Sequence, residues 1–245
     1  MIGVVDIGNT RTKLALFRED GSVAGEKNLA TGEAFNSAAS SFFTAPLDRA
    51  VIGSVVPAST PLWADFLFPR TSLLHVANID SPWGFRIDVE NPENVGVDRL
   101  ANLEGALSFP GAALVVDAGT ATKFDLLEGV SPRAFPGGGI APGLSVSYEA
   151  MLAKSAQLVA VDLGKHSPVV GYNTETAIRS GVLHGFASLV DGMVAKIFEE
   201  RLLRPPFTVI ATGGNSSYLQ GRARLITHFR PRLTLEGLHG LAEKI

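Results

Sequence analysis

Residues 4–13, Val4-Val5-Asp6-Ile7-Gly8-Asn9-Thr10-Arg11-Thr12-Lys13, read as a strand, a tight turn and the start of a second strand. Ile2, Val4 and Val5 supply the β-branched apolar run of a buried strand. Gly8-Asn9 breaks it with turn-forming residues. Lys13-Leu14-Ala15-Leu16-Phe17 is extended again, and Asp20-Gly21 turns that strand into a second hairpin toward residues 22–28. A carboxylate at the end of a buried strand is costly unless it meets a cation or strong donors. Backbone N–H groups, Thr10 and Lys13 can hold phosphate oxygens, while Asp6 can hold a metal ion or its waters. Taken alone, the segment is equally an ordinary β-turn with a surface Asp and Lys.

A second copy shifts the balance. Ala113-Leu114-Val115-Val116-Asp117-Ala118-Gly119-Thr120-Ala121-Thr122-Lys123-Phe124 repeats the plan of apolar strand, Asp-x-Gly turn, lysine and apolar strand. Asp6 and Asp117 lie 111 positions apart, close to half of the 245-residue chain. Such a long-period repeat predicts two duplicated α/β lobes facing each other across a cleft, one over residues 1–111 and the other over 112–245.

Composition narrows the class. The net charge is −3 with 21 basic residues. There is no Lys/Arg run of the kind that tracks a phosphate backbone, so a nucleic-acid partner is not expected. The chain has no cysteine, which excludes disulfides, thiolate catalysis and zinc–thiolate sites and fits a reducing compartment. No basic n-region opens it, and no apolar stretch is expected to reach a membrane span. A cytoplasmic protein without a membrane partner is the expectation.

Further elements follow in order. Helix spacing covers 33–43, a buried strand covers 50–56 and ends in a turn at Gly53–Pro57, and Ser59 or Thr60 caps a short helix with Pro61 in its first turn. A strand at 73–76 precedes an irregular segment over 83–98. Asp98-Arg99 opens a helix to about Leu107, where Asp98 is equally its N-cap. The glycine-rich 137–143 permits close approach of a ligand to the backbone and leads into a helix over 144–155. After a loop over 157–172, Asn173-Thr174 caps a long helix to about Leu203. Its glycines Gly181, Gly185 and Gly192 predict close packing on another helix, within the chain or across a dimer. A strand over 207–212 ends in Thr212-Gly213-Gly214-Asn215. A last strand at 225–226 and a helix over 235–244 close the chain.

Four strand ends therefore offer phosphate-friendly turns, at residues 6–10, 117–120, 137–143 and 212–215. Phosphoryl transfer needs positioning and charge neutralisation plus a group to orient or deprotonate the attacking hydroxyl. The five histidines lie in no triad or metal spacing, so a carboxylate is the expected base.

Asp6-Ile7-Gly8-Asn9-Thr10-x-x-Lys13, Gly96-Val97-Asp98-Arg99, Asp117-Ala118-Gly119-Thr120-Ala121, Gly137-Gly138-x-Ile140-x-Pro142-Gly143, Asn173-Thr174-x-x-Ala177-Ile178-x-x-Gly181 and Thr212-Gly213-Gly214 occur in the order seen in type III pantothenate kinases. The chain resembles that family over essentially its whole length. The resemblance implies two ribonuclease-H-like lobes of the actin/hexokinase/Hsp70 kind, each a mixed sheet flanked by helices, with a nucleotide cleft between them. It implies ATP-dependent phosphorylation of pantothenate to 4′-phosphopantothenate, the entry step of coenzyme A synthesis, by a homodimer using Mg²⁺ and potassium or ammonium.

Residue by residue, the resemblance makes Asp6, Ile7, Gly8, Asn9, Thr10, Arg11, Thr12 and Lys13 the first phosphate loop, with Asp6 holding Mg²⁺ through water. Asp98 becomes the general base, and Gly96, Val97 and Arg99 part of the pantothenate site. Asp117 becomes the monovalent-cation ligand, Thr120 a nucleotide contact and Thr174 a substrate contact. Two positions depart from the pattern. Val89 stands where some members carry tyrosine, and Lys123 stands where threonine is usual; Lys123 is expected to point to solvent. Two other readings stay open: a related kinase for another small hydroxylated substrate, and a non-catalytic regulatory homologue.

Overall fold

The computed structural model describes residues 1–32, 37–203 and 207–245. The chain forms two compact units: 1–108 with 130–136 and 232–245, and 109–129 with 137–231.

In the first unit β1 (Ile2–Ile7), β2 (Arg11–Phe17), β3 (Val23–Ala30), β4 (Arg49–Ser54) and β5 (Leu74–Val76) form a sheet in the order β3-β2-β1-β4-β5. β1 pairs antiparallel with β2 and parallel with β4. Its central place explains its continuous apolar run, because successive side chains enter opposite cores. Val5 and Ile7 pack with Leu14, Ile52, Trp63 and Leu67. Val4 packs on the other side with Phe17, Val51, Leu235, Leu238 and Leu241.

Two short helices, α1 (Ser37–Ser40) and α2 (Thr60–Leu67), lie in this unit with α3 (Val97–Ala106). The first four residues of the helix expected over 33–43 lie outside the described residues. β6 (Arg86–Ile87) pairs with Ala134 and Phe135, at the start of β9 (Ala134–Pro142).

The second unit repeats the topology. β7 (Ala112–Ala118) pairs antiparallel with β8 (Ala121–Glu128) and parallel with β10 (Phe207–Thr212). β9 lies beyond β8, and β11 (His228–Phe229) beyond β10. Read from their third strand, both sheets run third-second-first-fourth-fifth, which is the duplication the paired Asp-x-Gly segments predict. The last strand is at 228–229 and not at 225–226, because Thr227 bonds the strand edge first, through its own N–H to Val209 O at 2.9 Å. The core of this unit lies between the sheet and α5 (Thr174–Glu200), where Leu183, Phe186, Val190 and Val194 meet Leu114, Val116, Phe124 and Leu126. α4 (Leu144–Lys154) precedes α5.

The division differs from the contiguous split expected at residue 111. The closing helix α6 (Leu233–Ala242) belongs to the first unit. The reason is steric and apolar at once. A Cβ on Gly237 would stand 1.7 Å from Ala101 O, and one on Gly105 2.7 Å from Leu233 O. Glycine on each helix lets the α3 and α6 backbones touch, which sinks Leu235, Leu238 and Leu241 into the core. Thr234 donates to Asn102 Oδ1 at 2.8 Å, and Lys244 pairs with the buried Glu104, which also accepts Gly84 N–H at 2.7 Å.

By length and composition alone α5 is apolar enough to cross a membrane, so the expectation that no stretch reaches that length does not hold for it. One side of the helix is nonetheless spent on its own sheet.

His239 on α6 stacks on Phe17 at 4.3 Å, and burial holds its imidazole below the ordinary value, against a smaller opposing pull from Glu243. The folded state therefore prefers the neutral ring. The unfolded chain takes up the proton first as pH falls through about 6.5, so stability is full above that pH and is lost below it. Burial shifts His75 the same way. The thermal midpoint is expected to fall between about pH 7.5 and pH 5.5, and His239→Phe to flatten part of that slope. A scanning fluorimetry series over pH checks this, and an unchanged slope in the variant contradicts it.

Candidate active site

The first phosphate loop is the β1–β2 hairpin. Asp6 faces Lys13 across the ladder, and Ile7 faces Thr12. Gly8 N–H donates to Arg11 O at 3.0 Å, which closes the turn. Asn9, Thr10 and Arg11 are exposed at its tip, whereas Asp6 is 9% exposed. Ile7 and Thr12 are fully buried. Ile7 belongs to the core, and the Thr12 hydroxyl lies 3.2 Å from that of Thr31. Either residue can therefore offer a ligand only its backbone. Thr31 also donates its hydroxyl to Gly8 O at 2.6 Å and its N–H to Thr10 O at 3.2 Å. This brace escaped the sequence reading, because a lone threonine after β3 carries no local signal.

Asp98 lies in the same unit. α3 begins at Val97 with Gly96 as its N-cap, so Asp98 is not the cap. Its Oδ1 accepts Arg99 N–H at 2.8 Å. A Cβ on Gly96 would stand 2.6 Å from that oxygen and 3.4 Å from Val55 Cγ1. Glycine at 96 is what lets the carboxylate fold back over the helix start. Val55 N–H donates to Ile7 O at 3.0 Å, so one backbone bond ties the seat of Asp98 to the end of β1. The Arg99 guanidinium lies 5.3 Å from the Phe135 ring centroid, in cation–π range. Val89 is half-buried just after β6.

The second unit gathers three expected turns. A Cβ on Gly143 would stand 2.3 Å from Thr120 O, and one on Gly213 2.5 Å from Asp117 Oδ1. Gly213 also has a φ of 88°, which favours glycine. Asn215 N–H donates to Ala118 O at 2.8 Å, and its side chain donates to Gly119 O at 3.3 Å and accepts from Ser145 Oγ at 3.3 Å. Ser145 and Asn215 thus hold the Gly119–Thr120 turn and leave Thr120 exposed. Ser145 did not stand out in the sequence, and Asn215 did so only as the end of the 212–215 turn, because their bracing role exists only once distant turns meet.

Lys123 corrects an expectation. Its ammonium does not point to solvent; Nζ donates to Asp117 Oδ2 at 3.0 Å, with both side chains largely covered. The two residues are register partners on β7 and β8, so the pair is set by the ladder.

Thr174, the first residue of α5, is exposed beside a capping box in which Asn173 Oδ1 accepts Thr176 N–H at 2.9 Å. It lines a cavity of about 790 Å³ walled by α4 and α5, with Tyr148, Met151, Gly181, Gly185 and Leu189. Arg179, 3% exposed, donates to Asp162 O at 2.7 Å and His166 O at 3.2 Å, fixing the 157–172 loop to α5. Among the described residues no group of three or more His, Asp or Glu is placed to hold a metal ion.

The family model for type III pantothenate kinase matches residues 3–196. The chain belongs to the type III pantothenate kinase family. It is 37% identical over 253 residues to the type III pantothenate kinase of Desulfosudis oleivorans, covering 97% of each chain. It is 35% identical over 258 residues to that of Gluconobacter oxydans, covering 100% of this chain and 93% of the relative. Among solved structures it is similar to a glucokinase from an Antarctic psychrotroph, at 13% identity and TM-score 0.55, covering 100% of this chain and 99% of that one. It is also similar to the activator of the 2-hydroxyisocaproyl-CoA dehydratase from Clostridium difficile, at 11% identity and TM-score 0.54, covering 97% and 91%. Those two likenesses are of fold, and they match the expected class of mixed sheets flanked by helices.

Gly96 gives this family member a sharp test. Gly96→Ala is expected to push the Asp98 carboxylate out of its seat by roughly 1 Å, with phosphoryl transfer falling on the order of 10²-fold. A crystal structure of the variant reads the first effect and a kinase assay the second. A carboxylate left in place, or full turnover, contradicts the assignment.

Proposed function

We propose that the chain, acting in the cytoplasm, transfers the γ-phosphoryl group of ATP to the hydroxyl of pantothenate and releases 4′-phosphopantothenate and ADP. The family membership supplies substrate and reaction. The observation that carries the reading within the chain is the seat of Asp98, a carboxylate held over a helix start and tied through Val55 to the end of β1.

In this reading Asp98 accepts the hydroxyl proton as the new O–P bond forms and the bond to the β-phosphate oxygen breaks. Arg99 presents a guanidinium to the pantothenate carboxylate, the pairing its planar fork favours. Gly96 and Val97 line the same site. Gly8 to Lys13 offer N–H groups, the Thr10 hydroxyl and an ammonium to the phosphates, with Thr120 as a further nucleotide contact. Asp6 is a single carboxylate beside a phosphate-facing turn. That fits Mg²⁺, which keeps most of its waters and takes one or two carboxylates plus phosphate oxygens. Bound there, Mg²⁺ would neutralise charge on the phosphates.

The proposed assembly is a homodimer through α5. A Cβ added to Gly181, Gly185 or Gly192 would meet nothing within 4 Å, so these glycines do not serve packing within the described chain. They lie exposed on a helix face with Leu189, 38% exposed, beside the cavity that Thr174 lines. Small residues on an open helix face suit close approach of a second helix, and Thr174 would contact pantothenate at that interface. Gly185→Glu places a charge on this face without an intrachain clash. It is expected to shift the protein from dimer to monomer in sedimentation while the circular dichroism spectrum stays native; an unaltered sedimentation coefficient counts against this interface.

The reaction itself is read by incubating the protein with ATP, Mg²⁺ and pantothenate and identifying the product by mass. Asp98→Asn, which removes basicity at nearly constant shape, is expected to lower kcat by on the order of 10²-fold or more. Wild-type turnover without phosphopantothenate would point to another acceptor, and near-normal turnover by the variant would remove Asp98 from the role of base.

A further inference from the structure

The resemblance that supplies the kinase reading also implies a potassium or ammonium ion at Asp117. The residues present do not fit one. Lys123 Nζ lies 3.0 Å from Asp117 Oδ2, and the side chains are 19% and 13% exposed. The other oxygen, Oδ1, faces Gly213, whose φ of 88° brings its backbone so close that a Cβ would stand 2.5 Å away. Gly119 closes on the same oxygen, 3.6 Å from a Cβ placed there. One oxygen is thus taken by a fixed positive charge, and the other lies against the side-chain-free faces of Gly213 and Gly119.

We infer that Lys123 replaces the monovalent cation, so that this chain works without added potassium or ammonium. The chemistry is direct. A lysine head group is an ammonium ion on a tether, with the same unit charge and N–H donors that satisfy a carboxylate. The tether is preorganised, since Asp117 and Lys123 are opposite each other in the β7–β8 ladder. Lys123 is flanked by the fully buried Thr122 and Phe124, which fix its strand. A free cation at the same carboxylate would meet a like charge already in contact with it, and that disfavours its binding. Lys123 acts through Asp117 and is a positioning residue.

This inference rests on the kinase reading for its activity arm, and a second arm is independent of activity. Wild type, Lys123→Thr and Lys123→Met are assayed for phosphopantothenate in NaCl, KCl and NH₄Cl at equal ionic strength, and their thermal midpoints are measured in the same salts without substrate. Wild-type turnover is expected to vary less than about twofold among the salts, and Lys123→Thr to lose roughly tenfold or more in sodium and regain it in potassium or ammonium. Lys123→Met fills the space without the charge and is expected to stay impaired in all three. The midpoint of Lys123→Thr is expected to rise in potassium relative to sodium, and that of wild type to show no such difference.

Wild type activated roughly tenfold by potassium overturns the inference. So does a Lys123→Thr or Lys123→Met variant with wild-type turnover in sodium. If wild type makes no product in any salt, the kinase reading fails. The thermal arm then decides alone: potassium-specific stabilisation confined to Lys123→Thr upholds the replacement, and the same stabilisation in wild type, or in neither protein, refutes it.

Discussion

A carboxylate at the end of a strand buried on both faces sets the terms for each half of the chain. β1 and β7 are central strands, and each ends in an aspartate followed by a glycine turn. Burial makes such a charge costly, and each aspartate has a lysine as its register partner on the next strand, Lys13 opposite Asp6 and Lys123 opposite Asp117, the latter pair closing at 3.0 Å. Much else follows from that placement. Gly213 leaves room at Asp117, Thr31 braces the first turn, and Asn215 with Ser145 braces the second. The two hairpins share a plan and differ in what surrounds the charge. Asp6 stands beside an exposed, donor-rich tip, whereas Asp117 is held by an ion pair and backbone.

The fold was legible where one residue type can do only one thing. Continuous apolar strands, the Asp-x-Gly repeat and the Asn173 cap each reflect a local constraint, and each appears where its pattern lies. What could not be read was set by contacts between distant segments. Nothing near Gly237 announces that it will touch Ala101, so the return of α6 to the first unit was hidden, and with it the true grouping of the chain. Lys123 was misjudged for a related reason. As a charged residue departing from the family pattern it was expected to face solvent, and only the ladder register puts it opposite Asp117. Asp98 stood out in the sequence as a candidate, but its geometry did not, because its seat depends on Gly96 and Val55 together.

α5 shows how composition misleads when a helix has two apolar tasks. Its sheet-facing side carries Leu183, Phe186, Val190 and Val194, and its other side carries glycines and Leu189. Summed along the sequence, these faces resemble a membrane span. Separated in space, one is the core of a unit and the other is an open surface whose small residues need no intrachain partner.

The pairing of α6 with α3 carries a consequence for how the chain is made. The sheet of the first unit is built from early residues, yet the helix that covers Val4, Phe17 and Val51 is made only after the whole of the second unit. Until Leu235, Leu238 and Leu241 arrive, that face of the nascent sheet has no cover. The second unit, whose own helix α5 and strand β10 are complete by residue 212, finishes its core sooner. Synthesis from the N-terminus thus reverses the order of completion: the half begun first is sealed after the half begun second, and its apolar face stays open to aggregation for longer.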